Sequence, residues 1–170
     1  MINKKNKGFS LIELMISLSI MSMLLMMAAP SFAEWLANMR VKSVAQGIHF
    51  GVMLAKAEAM RRNENVEFEL NADSSWKVKT EGGETINQKV ANEASAGVSI
   101  DITPAEGNKI LFTGMGMIST TSGITSAVDI DITNVKRGMT VRVGLGGASL
   151  LCEKEDQNTT GTIFLPCRDI

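Results

Sequence analysis

The chain has 170 residues, 45% of them hydrophobic, 21% charged and 5% aromatic, with a formal net charge of −1. That length suits one domain with a real core, and the charge balance supplies no general drive towards nucleic acid. The only cysteines, Cys152 and Cys167, are too few for a zinc site and far in sequence from the only histidine, His49.

Residues 1–8 read MINKKNKG and form a short basic leader carrying Lys4, Lys5 and Lys7 and no acid. Removing it takes three of the 17 basic residues and leaves 14 against 18 acids, a net charge of −4. From Phe9 to Ala29 the chain is apolar over 21 residues and carries one charge, Glu13. At about 1.5 Å per residue such a helix spans about 30 Å, the thickness of a bilayer core. The lysines before it belong in the cytoplasm by the positive-inside rule, which puts the C-terminal bulk on the far side. An ordinary signal peptide is the rival reading, because Ala28-Ala29 and Ser31-Phe32-Ala33 imitate its small-residue cleavage site. Two features oppose it: the apolar stretch is long for a signal core, and it keeps a carboxylate that costs about 2.5–3.5 kcal/mol at the bilayer centre. A charge retained inside an apolar helix implies a partner cation.

At this point the segment Gly8-Phe9-Ser10-Leu11-Ile12-Glu13-Leu14 resembles the class III signal of type IV pilins and pseudopilins. The resemblance implies cleavage by prepilin peptidase between Gly8 and Phe9, on the cytoplasmic side, and N-methylation of Phe9. Glu13 becomes the fifth residue of the mature chain, where the family carries its acid. Pro30 falls where the family places a helix-kinking proline. The residues support the chemistry. Gly8 has no side chain, so a protease can take up the backbone there. Cleavage creates a positive amine four residues from Glu13. In the family's filament the Glu of one subunit neutralises the amine of a neighbour, which turns a buried cost into an assembly and register signal.

Beyond Pro30 the apolar positions Phe32, Leu36, Met39 or Val41, Val44, Ile48, Val52, Ala55 and Ala59 recur at three and four. This is an amphipathic stripe of helical period that should pack on a sheet. Arg61 and Arg62 suit the negative pole of the helix. Gly47 and Gly51 are read as a weakening or bend of the helix against the sheet, with close helix approach in a filament as the alternative. His49 is assigned no ligand role. The run Leu54 to Asn63, alanines and an acid closing on a basic pair, followed by a strand from Val66, resembles the GspH/FimT branch of minor pilins.

After residue 64 the pattern turns to short β-type runs: Val66–Leu70, Trp76–Thr80, Val98–Thr103, Ile110–Thr113, Val128–Thr133, Met139–Val143, Ser149–Cys152 and Thr162–Leu165. Glycine and Asn/Asp turns separate them. The polar 81–97 stretch reads as a flexible loop, and Trp76 as a core anchor. The expected architecture is α+β, with a long N-terminal helix, half transmembrane and half amphipathic, against a head of two small antiparallel sheets. Its divisions are a leader at 1–8, a transmembrane assembly helix at 9–29, an amphipathic helix at 30–63 and a β-rich head at 64–170.

No nucleophile, paired-carboxylate or phosphate-loop constellation is present, so no enzyme, metal or cofactor is expected; Gly144-Leu145-Gly146-Gly147 lacks the flanking residues of a nucleotide loop. The branch shows a Gly-Arg pair where this chain has Gly146-Gly147, and its DNA-binding members use a basic C-terminal loop. Here Lys154 stands among Glu153, Glu155 and Asp156, which disfavours nucleic acid and leaves Arg137, Arg142 and Arg168 as a dispersed patch. In an extracytoplasmic head Cys152 and Cys167 read as a disulfide closing a polar loop. The resemblance implies a minor pilin that helps to initiate or cap a type IV pilus. The alternatives are the H-type minor pseudopilin of type II secretion and a DNA-uptake pilin. The implied partners are other pilins through their N-terminal helices, prepilin peptidase and the inner membrane, with passage into the pilus or pseudopilus.

Overall fold

A computed structural model describes residues 9–91, 95–119, 123–124, 126–134 and 138–153, with the side chains of 106 and 107 excepted. Its first element is one helix, α1, Leu11–Arg62, with Pro30 inside it. Eight strands follow: β1 Val66–Leu70, β2 Trp76–Thr80, β3 Thr85–Lys89, β4 Ser99–Thr103, β5 Lys109–Phe112, β6 Val128–Thr133, β7 Gly138–Val143 and β8 Ser149–Glu153. They make two antiparallel sheets of four strands, in the orders β3-β2-β1-β5 and β4-β6-β7-β8. This is the expected α+β architecture of a helix followed by two antiparallel sheets. The chain divides into two compact units, residues 1–36 and 37–170.

In the second unit the helix buries Val41, Val44, Ala45, Ile48, Gly51, Val52, Ala55 and Ala59. All but Ala45 and Gly51 are positions the helical period picks out. The upper end of the expected stripe behaves differently. Phe32, Leu36 and Met39 are 62%, 39% and 45% exposed, so the sheet-facing stripe begins at Val41. The strands supply the other wall of the core by alternation: Val66, Phe68 and Leu70 in β1, Val128, Ile130 and Ile132 in β6, and Met139, Val141 and Val143 in β7 are buried. Their polar neighbours face outward. On β1, Glu67 and Glu69 lie between Lys79 of β2, which pairs with Glu69, and Lys109 of β5, whose Nζ is 3.4 Å from Glu69 and 4.0 Å from Glu67. Opposite charges directly across a ladder favour its register.

The expected loop at 81–97 contains a strand. β3 pairs with β2 through a turn in which Gly83 takes φ 85° and the Thr80 N–H reaches Glu84 O at 2.9 Å. The Thr-Ile-Asn-Gln-Lys strand shows no apolar alternation because β3 is a sheet edge with little buried surface. Backbone pairing, with Ile86 as its one apolar residue packed against the core, makes it a strand, and hydrophobic periodicity is blind to that. The expected strand Thr162–Leu165 lies outside the described residues.

Candidate functional site

The N-terminal half presents a helix with no protein around it. Every side chain from Leu11 to Met27 is exposed. The helix is long and apolar enough to cross a membrane. Its serines answer the requirement that polar groups in lipid be satisfied internally. Ser17 Oγ donates to the carbonyl of Glu13 at 2.7 Å, Ser19 Oγ to Met15 at 2.8 Å, and Ser22 Oγ to Ser19 at 2.8 Å. Ser10 caps the helix, its Oγ accepting from the Glu13 N–H at 3.3 Å. Sequence reasoning passed over this cap although Ser10-Leu11-Ile12-Glu13 carries the spacing of a capping box. Glu13 sits in the first turn, where the helix dipole favours a negative charge. Phe9 is 78% exposed, and Gly8 lies outside the described residues. Near the end of the apolar run, the rings of Phe32 and Trp35 are 5.7 Å apart.

In the second unit the helix is fastened to both sheets. Gly51 is buried against the first sheet: a Cβ there would meet Phe68 at 2.7 Å and Trp76 at 2.9 Å. Trp76 is 3% exposed and anchors this contact, with Phe68 and Phe50 ring centroids 6.1 Å and 6.4 Å away. The two glycines of the G-x-x-x-G therefore differ, since Gly47 faces only the flexible end of Lys89. On the second sheet's side, His49 Nδ1 shares a 2.8 Å hydrogen bond with Ser149 Oγ of β8. Burial holds the His49 imidazole below its ordinary pKa. Two turns on, Lys56 Nζ donates to the Gly147 carbonyl at 2.9 Å. The Gly144–Gly147 segment is thus the β7–β8 turn, and Gly147, at φ 72°, lies against the Gly116 carbonyl.

Of the basic residues singled out from the sequence, those among the described residues are engaged locally. Arg142 grips Asp129 across β6 and β7 with two hydrogen bonds, 2.7 Å and 2.9 Å. Arg137 and Arg168 lie outside the described residues. Arg61 and Arg62 are in the last turn of α1, and both bind Glu58, at 2.7 Å and 3.0 Å. Hydrogen bonds from Arg61 first and Arg62 second hold the Glu58 carboxyl down to about 2. Cys152 is 6% exposed on β8, on the sheet face shared by Asp131 and Thr140; Cys167 lies outside the described residues.

Two stretches of the sequence match known families. Residues 3–29 match the prokaryotic N-terminal methylation motif. Residues 44–147 match the family described as type II transport protein GspH, and these contain the helix-to-sheet core together with all but the last strand of the described head. The chain belongs to the GspH family. Its fold is that of solved members of the pilin superfamily. The type IV minor pilin FimU of Pseudomonas aeruginosa matches with a TM-score of 0.57 at 14% identity, covering 67% of this chain and 89% of FimU. The minor pseudopilin EpsH from the type 2 secretion system of Vibrio cholerae matches with a TM-score of 0.50 at 14% identity, covering 67% of this chain and 97% of EpsH. No curated protein matches by sequence. Methylation motif, apolar helix and GspH head together mark a membrane-anchored protein of the pilin and pseudopilin class.

Proposed function

We propose that this GspH-family chain is a minor pilin, a structural subunit that helps to initiate or cap a type IV pilus. The observation that carries the reading is a first unit with every apolar side chain from Leu11 to Met27 exposed, in a protein whose second unit has a complete core of its own. Such a helix has one function in lipid and needs a second apolar environment in any assembly that leaves it. In this reading the leader stays in the cytoplasm and the head is periplasmic. Prepilin peptidase cuts between Gly8 and Phe9, and Phe9 is methylated. Glu13 of one subunit pairs with the Phe9 amine of another. Pro30 absorbs the passage from assembly helix to head, and Cys152 and Cys167 close the C-terminal loop as a disulfide.

The second reading is the H-type minor pseudopilin of type II secretion, favoured by the description of the matching family. Loss of the protein separates the two: a minor pilin's absence empties the sheared pilus fraction, whereas a pseudopilin's absence stops export of secreted enzymes and leaves pili intact. DNA uptake is the third. The engagement of Arg142 by Asp129 weighs against it, and a gel shift with the head at low and high salt measures it directly.

Processing is tested at the junction. The wild-type protein extracted from membranes should begin at N-methylated Phe9, and Gly8→Glu should accumulate uncut. Intact mass spectrometry reads both. A wild-type N-terminus at Glu34 instead would identify an ordinary signal peptide and end the pilin reading of the helix.

A further inference from the structure

Phe32 and Trp35 stand just past the uniformly apolar run, one helical turn apart, and are 62% and 55% exposed. Their ring centroids are 5.7 Å apart. Leu36, also exposed, follows at i+4 from Phe32, so the three side chains share one face of the helix. The chain has two tryptophans and no tyrosine. Trp76 is buried in the head core, and Trp35 is the one left bare. Two rings left bare in water forgo the burial that favours apolar surface. The boundary of a bilayer suits them, because an indole there covers its apolar body and keeps its N–H among headgroups and water.

The placing of charge points to the same boundary. Glu13 and Glu34 bracket 20 residues, 14–33, that contain no charged side chain. As helix these span about 30 Å, the hydrocarbon thickness of a bilayer. We propose that Phe32 and Trp35 anchor α1 in the headgroup layer on the C-terminal side of the membrane, and that residues 14–33 are the hydrocarbon span. The span at 9–29 expected from composition lies more than a turn nearer the N-terminus. It would put Glu13 inside the hydrocarbon and leave Trp35 about 9 Å beyond it, clear of the membrane. The anchored frame sets Glu13 at the opposite headgroup layer, where a carboxylate costs less than at the bilayer centre, and leaves Phe9 outside the hydrocarbon. The depth of the acid is thus fixed by two rings at the other end of the span. The proposal rests on membrane anchoring alone, and is the same for a pilus subunit and for a secretion subunit.

The test uses the full-length protein reconstituted in phosphatidylcholine–phosphatidylglycerol vesicles. Their acyl chains carry bromine either next to the headgroup or near the chain ends. Bromine quenches only indoles close to it, so Trp76 in the head core gives a constant background, which the Trp35→Phe chain measures. Bromine next to the headgroup should quench Trp35 at least twofold more than bromine near the chain ends. In the chain carrying Met23→Trp and Trp35→Phe the order should reverse, because residue 23 is at the middle of the proposed span. In the chain carrying Met23→Trp, Phe32→Ala and Trp35→Ala the helix is free to slide, and the chain-end preference should fall at least twofold. A Trp35 that neither lipid quenches, or that chain-end bromine quenches most, overturns the anchored frame alone, provided that the Met23→Trp indole is quenched. A chain-end preference that survives loss of both rings overturns their role as the anchor. If no lipid quenches either indole, the helix does not enter the bilayer, and the membrane reading falls with the proposal.

Discussion

The two halves of α1 are built from the same kinds of residue and solve opposite problems. From Leu11 to Met27 the helix is apolar on every side, its serines bond back to their own backbone, and no side chain is covered. From Val41 to Ala59 the buried residues follow one stripe, in which each of Val41, Val44, Ile48, Val52, Ala55 and Ala59 is under 4% exposed, while Phe50 and Met53 stand exposed outside it. The lesson is that the distribution of apolar residues around the helix, rather than their number, tells a solvent from a partner. A helix apolar all round is addressed to lipid or to other such helices; a helix with a buried stripe is addressed to the core of its own head. The contrast also shows where single residues matter. In the first half one charge, Glu13, stands out against a uniform background. In the second, one missing side chain, at Gly51, decides how closely helix and sheet can meet.

The largest effect expected from breaking this contrast is at Glu13. Glu13→Val removes a charge that is costly in lipid, so insertion and membrane level should hold, while the subunit in sheared filaments falls at least tenfold through loss of the partner for the Phe9 amine. Immunoblots of the membrane and filament fractions give the answer. Equal filament levels would leave Glu13 without an assembly role.

The next effect belongs to the C-terminal loop. With Cys152 and Cys167 joined around 14 intervening residues, chain entropy favours the closed head by about 3 kcal/mol. Alkylation before and after reduction should find no free thiol in native protein and two after reduction, and reduction should lower the unfolding midpoint. Two thiols that react without reductant would mean that the loop is held in another way.

Gly51 and Gly47 sharpen the comparison within the second half. Gly51→Val forces a side chain into Phe68 and Trp76 and should cost about 1–3 kcal/mol. Gly47→Ala meets only a movable lysine end and should raise stability by up to about 1 kcal/mol through helix propensity. Denaturant unfolding of a fragment beginning at Ala37 measures both. Equal effects at the two glycines would show that helix bending, and not contact with the sheet, is their common role.

The smallest effect is on pH dependence. Burial lowers the folded pKa of His49 below its unfolded value, so the fold favours the neutral ring. The stability this gives is present above the unfolded pKa of about 6.5 and is lost as pH falls through the folded value. His49→Gln should flatten the unfolding profile between about pH 7 and 5. An unchanged slope would assign the acid response to other groups.

Much of this was legible from the chain. The helical period located the buried stripe from Val41 onward to within a residue or two, because burial on one side imposes that period. Every strand but β3 lies within a residue of a β-type run read from the sequence, and β4 and β6 announced themselves most plainly by alternation of isoleucine or valine with polar residues. The edge strand β3 did not, because its pairing is made by backbone groups that every sequence shares. Phe32, Leu36 and Met39 fit the stripe by spacing and lie outside the core, because periodicity marks a face and cannot say where its partner surface begins. Arg142 looked like a free cation until its cross-strand neighbour was known to be Asp129.

The sequence by itself determined the basic N-terminal stretch, the single acid in an apolar span, the match to the N-terminal methylation motif over residues 3–29, and the order of helix before strands. These are local features, set by composition and spacing within one or two turns of chain. Only the tertiary structure decided which strands share a sheet. β4 joins β6 in the second sheet before β5 returns to the first beside β1, so the chain crosses between sheets three times. It also decided that Lys56 reaches Gly147, 91 residues away, and that Met60 meets the turn around Gly116. Such contacts depend on the path of the backbone through space. Residues far apart in sequence carry no local mark of the neighbours that path will give them.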